Sequence, residues 1–200
     1  MSYRGFYVNL DKSLDRRIFI EHELRQIGVL ERYTRVPAID GSQLQSVPNG
    51  SRLTRAEIAC RTSHMNILRD NAKLNKHIHI IEDDIELSSY HHKLLEAFFA
   101  QNQPWDILFT GLQIPLVPKQ ITFVTNLYEK IHASKPPQSV FFDMRDFLFV
   151  GAFSYIVNKN SIDKFLQIYD KAGADSPIDF IFREYICFRK ELKGYCAFPF

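Results

Sequence analysis

The stretch His77-Ile-His-Ile-Ile-Glu-Asp-Asp84 decides the fold, because it joins a short apolar run directly to three consecutive carboxylates. Residues 77–82 are predicted to form a strand buried in a sheet, since isoleucine favours the pleated surface of a strand. In open α/β sheets the ligand site lies beyond the carboxyl ends of the strands. The acidic triplet, Glu82, Asp83 and Asp84, therefore marks a candidate ligand site.

Strand-like and helix-like segments alternate on both sides of this stretch, which predicts an α/β domain with a largely parallel sheet. Thr54 and Glu57 have the spacing of a capping box at the start of one helix, and Ser176 and Pro177 fit the start of another. Residues 115–146 contain four prolines and are predicted to be an irregular insertion or lid. The predicted strands are residues 3–10, 33–38, 77–82, 105–110 and 147–157, and the predicted helices are residues 14–27, 55–74, 91–101, 161–172 and 178–189.

Composition and charge exclude several classes of protein. The chain of 200 residues is 46% hydrophobic and 24% charged, which is ordinary for one folded globular domain. It has no apolar run near the roughly 18 residues of a membrane span and no long apolar core of a signal peptide, so we expect a cytoplasmic protein. A net charge of +2 is too weak to predict a nucleic-acid partner, while peripheral contact with an anionic membrane surface stays open. Three cysteines without a CxxC pair indicate reduced, mostly buried thiols.

The acidic triplet is a candidate metal site. Three adjacent like charges repel each other, and a divalent cation relieves that repulsion. Hard oxygen ligands suit Mg²⁺ or Mn²⁺, and such a metal would typically also hold phosphates. The alternative is a solvated acidic turn with no bound ion.

Polar and charged residues also gather at three other places. Asn9, Asp11 and Arg16 lie at the carboxyl end of the first strand and the opening of the next helix, where a helix start and an arginine suit a phosphate or a nucleotide. A capped helix with a surface salt bridge is the alternative. Spacing by three and four places Glu57 and His64 on one face of the second long helix, where both could be site residues. The alternative is that Glu57 serves only in the capping box and that His64 is a core histidine. Asp179 lies in the first turn of a helix, either favoured there by the dipole or serving as a general base.

Taken together, these segments resemble glycosyltransferase family 25, the lipopolysaccharide-type sugar transferases. The likeness covers residues 3–112 well and residues 147–199 moderately. Its pieces are Tyr7-Val-Asn-Leu-Asp11, Val36-Pro-Ala-Ile-Asp-Gly41, Leu53-Thr-Arg-Ala-Glu-Ile-Ala-Cys60 with Ser63-His64, Ile80-Ile-Glu-Asp-Asp84, Gly151-Ala-Phe-Ser-Tyr-Ile-Val157 and Pro177-Ile-Asp179.

The resemblance implies a GT-A-type, Rossmann-like α/β fold with a mixed, mostly parallel sheet flanked by helices. It implies that a hexose, typically galactose, moves from a UDP-sugar to a lipopolysaccharide or lipooligosaccharide acceptor with inversion. It also implies a divalent cation, Mn²⁺ or Mg²⁺. The expected partners are therefore the UDP-sugar and a glycolipid or oligosaccharide acceptor.

Residue by residue, the resemblance assigns Glu82, Asp83 and Asp84 to the metal, with Asp84 the first choice for direct contact and Glu82 the next. Asp179 occupies the family's late acidic position and is the expected catalytic base, with Glu184 and then Asp106 as alternatives. The expected donor-binding residues are Asn9, Asp11, Arg16, Asp40, Glu57, Ser63 and His64.

The motif positions divide the single domain, residues 1–200, into three parts. Residues 1–112 are expected to bind the nucleotide and the metal, residues 113–146 to form the variable insertion or lid, and residues 147–200 to form a shortened acceptor-side half. Two other functions stay open. One is a module that binds a nucleotide sugar without transferring it, and the other is a metal-dependent phosphoesterase.

Overall fold

A seven-stranded sheet lies at the centre of the computed structural model, which describes residues 3–47, 51–133, 140–173 and 175–198. The strands are β1 (Tyr3–Asn9), β2 (Tyr33–Pro37), β3 (His77–Glu82), β4 (Ile107–Gln113), β5 (Val140–Asp143), β6 (Val150–Val157) and β7 (Gly194–Phe198). The helices are α1 (Leu14–Gln26), α2 (Arg55–Asn71), α3 (His91–Ala100), α4 (Pro118–Ala133), α5 (Ile162–Lys171) and α6 (Ile178–Arg183), which continues as a π-helical turn over Glu184–Phe188.

The strands lie in the order β2-β1-β3-β6-β4-β7-β5. β1 runs parallel to β2 and β3, and β7 runs parallel to β4, whereas β6 and β5 run antiparallel to their neighbours. Five strands therefore share one direction, which confirms the predicted mixed, mostly parallel α/β sheet. Val8 of β1 lies in register with Glu82 of β3, so the carboxyl ends of the two strands meet.

Helices cover both faces of the sheet. Successive side chains of a strand point to opposite faces. Accordingly, Ile80 packs in the cluster that contains α2, α5 and α6 side chains, and Ile81 packs in the cluster that contains α1 and α3 side chains. Both isoleucines are fully buried, and each such side chain contributes about 1.5–3 kcal/mol through its removal from water.

The insertion between residues 115 and 146 is more regular than predicted. It contains the 16-residue helix α4, and β5 pairs antiparallel with β7 at the edge of the sheet. Pro118 is the first residue of α4, where the fixed backbone angle of proline suits a helix start, so this proline marks a helix rather than a loop. Pro136 and Pro137 lie outside the described residues.

Two predicted boundaries also need correction. The fourth strand was expected to end before Gly111, but β4 continues to Gln113 with a register irregularity opposite Ser154. The last helix begins at Ile178, with Pro177 rather than Ser176 at its cap. In β4, the missing side chain of Gly111 lets the strand pass close to its neighbour, so a glycine alone does not end a strand.

Cys60 is exposed, and Cys187 and Cys196 are buried, all as free thiols, which confirms the prediction of reduced and mostly buried cysteines. Within the described ranges, none of the helices has the length and hydropathy that crossing a bilayer requires.

The loop after β2 is fastened to the start of α2. The Ile39 N–H donates to Ser63 Oγ at 2.9 Å, and the Ser63 hydroxyl donates to the Ala59 carbonyl at 2.8 Å. The predicted capping box is present, with the Glu57 N–H donating to Thr54 Oγ1 and the Glu57 carboxylate accepting from the Thr54 N–H. Gly41 completes the contact because it packs directly on the first turn of α2.

Gly41→Ala is expected to lower the free energy of unfolding by about 1–3 kcal/mol, the usual cost of overpacking. The added Cβ would lie 2.7 Å from the Arg55 carbonyl oxygen and 2.8 Å from the Ala56 nitrogen, so the backbone itself must move. Urea unfolding measures the change. Gln43→Ala, in the same loop at an exposed position, is the control, and equal stability of the two variants would contradict this account of the loop.

Candidate functional site

A cavity of about 560 Å³ lies beyond the carboxyl ends of β1 and β3. The loop after β2 and the first turns of α1 and α2 form its walls. Its lining includes Arg16, Asp40, Cys60, His64, Glu82 and Asp83. The position is the one that the sequence analysis predicted from the strand that runs into the acidic triplet.

Asn9 joins the end of β1 to the acidic triplet. Its side-chain amide donates to Asp83 Oδ2 at 2.6 Å and to the Ser13 carbonyl at 3.0 Å. Its amide oxygen accepts from Arg35 Nε at 2.9 Å. Asn9 and Asp83 are both buried, so the buried charge of Asp83 is stabilised by donors of the protein.

Arg16 supplies the positive charge next to the triplet. Its guanidinium lies 3.2 Å from Asp83 Oδ1 and 3.0 Å from Asp84 Oδ2. The charge of Asp84 is the main reason why the pKa of Arg16 is raised above its usual value. The Arg16 and Asp84 side chains are 53% and 46% exposed; Arg16 lines the cavity, whereas Asp84 is not among its lining residues. Arg16 thus supplies part of the charge compensation that the sequence analysis expected from a metal.

Glu82 differs from its two neighbours. Within the described part of the chain, no hydrogen-bond donor contacts its carboxylate, and Nε2 of the neutral His64 imidazole lies 3.8 Å from Glu82 Oε1. Burial, followed by the charges of Asp84 and Asp83, raises the pKa of Glu82 to about 7. The surroundings of Glu82 therefore disfavour the ionised form of its carboxylate.

Cys60, His64 and Glu82 form one group whose ligand atoms all lie within 4.8 Å of one another. The Tyr155 hydroxyl lies 3.0 Å from His64 Nδ1, which leaves Nε2 facing Glu82. Burial lowers the pKa of His64 to about 4, so the imidazole is neutral and able to coordinate an ion. Cys60 is exposed as a residue, but desolvation of its thiol, together with the charges of Glu82 and Asp179, raises the pKa of the thiol to about 12. A metal that binds this group would have to displace the thiol proton.

A second cavity of about 320 Å³ adjoins the first and shares Cys60 and Glu82 with it. Asp179 and Gly151 lie on its wall, and Asp179 Oδ2 accepts a hydrogen bond from the Gly151 N–H at 2.9 Å. Gly151 has a φ of +71°, a conformation that a side chain would strain. The two cavities form one cleft whose parts meet at Glu82.

The other predicted donor-binding residues have mostly structural partners. Asp40 lines the first cavity; its hydrogen bonds from Lys12 and Ser42 lower its pKa to about 2. Asp11 is exposed and pairs with Arg35. Glu57 is engaged in the capping box and lines the second cavity. Ser63 holds the loop after β2 and does not line either cavity.

The two alternatives to Asp179 lie elsewhere. Glu184 pairs with Arg189 and lines a separate cavity at the π-helical turn. Asp106 precedes β4, at the opposite edge of the sheet from the acidic triplet, and accepts from the Ser161 hydroxyl and the Lys193 N–H. The structure thus brings Asp179, alone among the three, into the cavity that borders Glu82.

Sequence reasoning placed Cys60 or Arg61 on the same helix face as Glu57 and His64 but assigned no site role to Cys60 or to Tyr155. The spacing of Cys60 and His64 by four residues on α2 was a usable signal, because it places both side chains on one face. Tyr155 belongs to a buried apolar strand, and no local pattern distinguishes its hydroxyl from that of a core tyrosine.

A mixed α/β sheet flanked by helices, with a carboxylate-lined cleft beyond its parallel strands, is consistent with a GT-A-like fold. A family model described as glycosyltransferase family 25 (LPS biosynthesis protein) matches residues 4–182, a range that contains both cavities of the cleft. The chain therefore belongs to glycosyltransferase family 25 and is a glycosyltransferase of lipopolysaccharide biosynthesis, which implies a sugar donor and a lipopolysaccharide acceptor. No curated protein gives a significant match to the chain.

Glu82→Gln is expected to raise the free energy of unfolding by about 3 kcal/mol at pH 8 in the presence of EDTA. The pKa of Glu82 is raised to about 7 by folding. Between the ordinary glutamate pKa and pH 7 the folded state therefore binds an extra proton, and stability is lost as the pH rises through this window. Most of the difference between the variant and the parent should disappear at pH 5.

Urea unfolding at pH 5 and pH 8 measures this dependence. Glu86→Gln is the matched control, because Glu86 is exposed and lies four residues further along the same segment. A Glu82→Gln protein that is no more stable than Glu86→Gln at pH 8 would show that the Glu82 carboxylate is not under electrostatic strain.

Proposed function

We propose that this enzyme transfers a hexose, typically galactose, from a UDP-sugar to a lipopolysaccharide or lipooligosaccharide-type glycan with inversion, using Mn²⁺ or Mg²⁺. The observation that carries the proposal is the shared wall of the two cavities. Glu82 lines both of them, and Asp179 lies on the second. A donor in the first cavity and an acceptor in the second would therefore meet beside the carboxylates.

Glu82 and Asp84 are the proposed metal ligands. Glu82 has no hydrogen-bond donor from the described residues and is crowded by like charges, which is the arrangement that a divalent cation relieves. Mg²⁺ is commonly bound by one or two carboxylates together with substrate phosphates, so two ligands from the chain are sufficient. When bound, the ion neutralises the charge of the departing diphosphate. Asp83, whose carboxylate is engaged by Asn9 and Arg16, orients its neighbours instead.

Arg16 and Asp40 are proposed to orient the donor. The Arg16 guanidinium lines the cavity and engages both Asp83 and Asp84 through Nη1, so its other N–H groups can donate to phosphate oxygens. Asp40 remains ionised across the physiological range because its pKa is lowered to about 2. It can therefore accept hydrogen bonds from ribose hydroxyls or from the base at the other side of the cavity.

Asp179 is the proposed general base. The Gly151 N–H holds one oxygen of its carboxylate, and within the described residues no donor contacts the other oxygen. That oxygen would take the proton of the acceptor hydroxyl as the new glycosidic bond forms and the bond to the diphosphate breaks. Attack from the second cavity on a donor in the first is a single displacement, which inverts the anomeric carbon.

We also propose a cytoplasmic location with peripheral contact to the membrane that carries a glycolipid acceptor. Support comes from the small positive net charge of +2, which favours anionic lipid surfaces weakly. Binding to vesicles with anionic lipid should therefore fall as salt increases. Binding that is insensitive to salt would contradict an electrostatic contact.

UDP-galactose is expected to raise the melting temperature only when Mn²⁺ or Mg²⁺ is present, because a ligand that binds the folded state stabilises it by mass action. Glu82→Gln and Asp84→Asn should each weaken metal-dependent donor binding at least tenfold, whereas Glu86→Gln should leave it unchanged. The donor is identified by comparing a panel of UDP-sugars: thermal unfolding measures the shift in melting temperature, and calorimetry measures the affinity. Binding that is equal in EDTA and in both carboxylate variants would refute the metal assignment.

Asp179→Asn is expected to lower the transfer rate by about 10²–10⁴-fold, the range that general-base catalysis contributes. The donor affinity should change less than threefold, because Asp179 lies in the second cavity and the amide oxygen can still accept from Gly151. Asp175→Asn, at an exposed position nearby, is the control. Full transfer by Asp179→Asn would exclude Asp179 as the base.

Donor binding without any transfer by the parent enzyme would indicate a binding module, and cleavage of simple phosphoesters would indicate a phosphoesterase.

A further inference from the structure

A third cavity, of about 450 Å³, lies where α6 passes into the π-helical turn. Its wall carries the cations Lys171, Arg183 and Arg189, one carboxylate, Glu184, and the aromatic rings of Phe180 and Phe188. We call it the basic cavity. The proposed chemistry of donor and base does not use these residues.

The basic cavity continues the acceptor side of the cleft. Phe180 lines both the basic cavity and the cavity that contains Asp179. The Arg183 guanidinium lies 4.0 Å from the centre of the Phe180 ring, so a positive charge stands directly on the shared wall. A long acceptor whose hydroxyl reaches Asp179 would extend past Phe180 into this cavity.

The charges of the basic cavity are unbalanced. Arg189 Nε donates to Glu184 at 3.0 Å, which neutralises one cation. Among the described residues, no carboxylate pairs with Lys171 or with Arg183, whose guanidinium donates to the Phe149 carbonyl at 3.3 Å. Two positive charges are therefore left without a counter-ion on one concave surface, which attracts anions.

The backbone of this wall is also unusual. The Arg189 N–H donates to the Glu184 carbonyl at 2.8 Å, which closes a turn of five residues instead of four. Such π-helical turns are rare and occur frequently at functional sites. Here the turn brings Glu184, Phe188 and Arg189 to the wall of one cavity. The Arg189 guanidinium lies 4.8 Å from the centre of the Tyr185 ring.

Two aromatic rings flank the cations. Phe180 and Phe188 are 44% and 62% exposed, although both lie on a helix that buries its other apolar side chains. Exposed apolar side chains that gather around a polar cavity mark ligand-binding surfaces. An aromatic face beside a cation suits a saccharide ring that bears a negative group.

We propose that the basic cavity binds an oxyanion, the phosphate or carboxylate substituent of an acceptor saccharide, at a distance from the hydroxyl that is glycosylated. The inference rests on the proposed function, because it assigns the acceptor to this side of the cleft. Arginine presents paired donors that match the oxygens of phosphate and carboxylate. Binding of such a remote group positions the acceptor and selects it over neutral glycans.

The test compares glucose 6-phosphate with glucose by NMR titration, in the presence of saturating UDP and Mg²⁺ so that the first cavity is blocked. Glucose 6-phosphate should bind at least tenfold more tightly and shift the amide resonances of Lys171, Arg183 and Arg189. Arg183→Gln and Lys171→Gln, the latter at an exposed position, should each weaken the binding of glucose 6-phosphate by about tenfold. Lys190→Gln, which removes a neighbouring cation paired with Asp146 outside the cavity, should change it less than twofold.

The outcomes separate the two proposals. Equal binding of glucose and glucose 6-phosphate, or an equal loss in Lys190→Gln and Lys171→Gln, would overturn the assignment of the basic cavity. The metal-dependent affinity for UDP-galactose is measured in the same variants and should be unchanged. If that affinity is intact while the phosphate preference is missing, only the present inference fails; if the parent enzyme does not bind the donor, the proposed function fails independently.

Discussion

The buried hydrogen bond between Asn9 and Asp83 is the interaction on which the rest of the site depends. It joins the carboxyl ends of β1 and β3 at 2.6 Å, and Arg16 adds a second donor to the same carboxylate. A buried carboxylate is tolerated only when such donors satisfy it. With Asp83 held against β1, Glu82 lies on the cavity wall, and the exposed Asp84 pairs with Arg16. The hydrogen-bonded Asp83 thereby holds in place the chain that carries Glu82 and Asp84, the two carboxylates proposed to bind a metal.

The site contrasts two carboxylates in different environments. Hydrogen bonds from Lys12 and Ser42 lower the pKa of Asp40, whereas burial and neighbouring charge raise the pKa of Glu82. Groups whose pKa values are pushed apart in this way concentrate at functional sites. Ionisation of Glu82 is therefore expected to lower the free energy of unfolding at neutral pH, a cost that functional groups commonly impose on the fold that carries them.

The sequence predicted the parts of the fold that local physics determines. The capping box of α2 and the buried strand β3 depend on neighbouring residues, and both lie where the patterns placed them. The helix over Pro118–Ala133 was missed because the four prolines of residues 115–146 suggested a loop, although proline at a first helical position favours a helix. In the candidate site, motif order led to the acidic triplet and Asp179. The separation of Glu184 into another cavity depends on the π-helical turn and on packing across the sheet, which no short pattern encodes.

Anomalous diffraction from crystals grown with Mn²⁺ and a UDP-sugar tests the central claim most directly, because it locates the ion without reference to activity. The account predicts one manganese peak within bonding distance, about 2.1 Å for a small hard cation, of carboxylate oxygens of Glu82 and Asp84. The diphosphate should lie in the first cavity beside Arg16. A bound UDP-sugar with no metal at the triplet, or with the ion held by Cys60 and His64 away from Asp84, would contradict it.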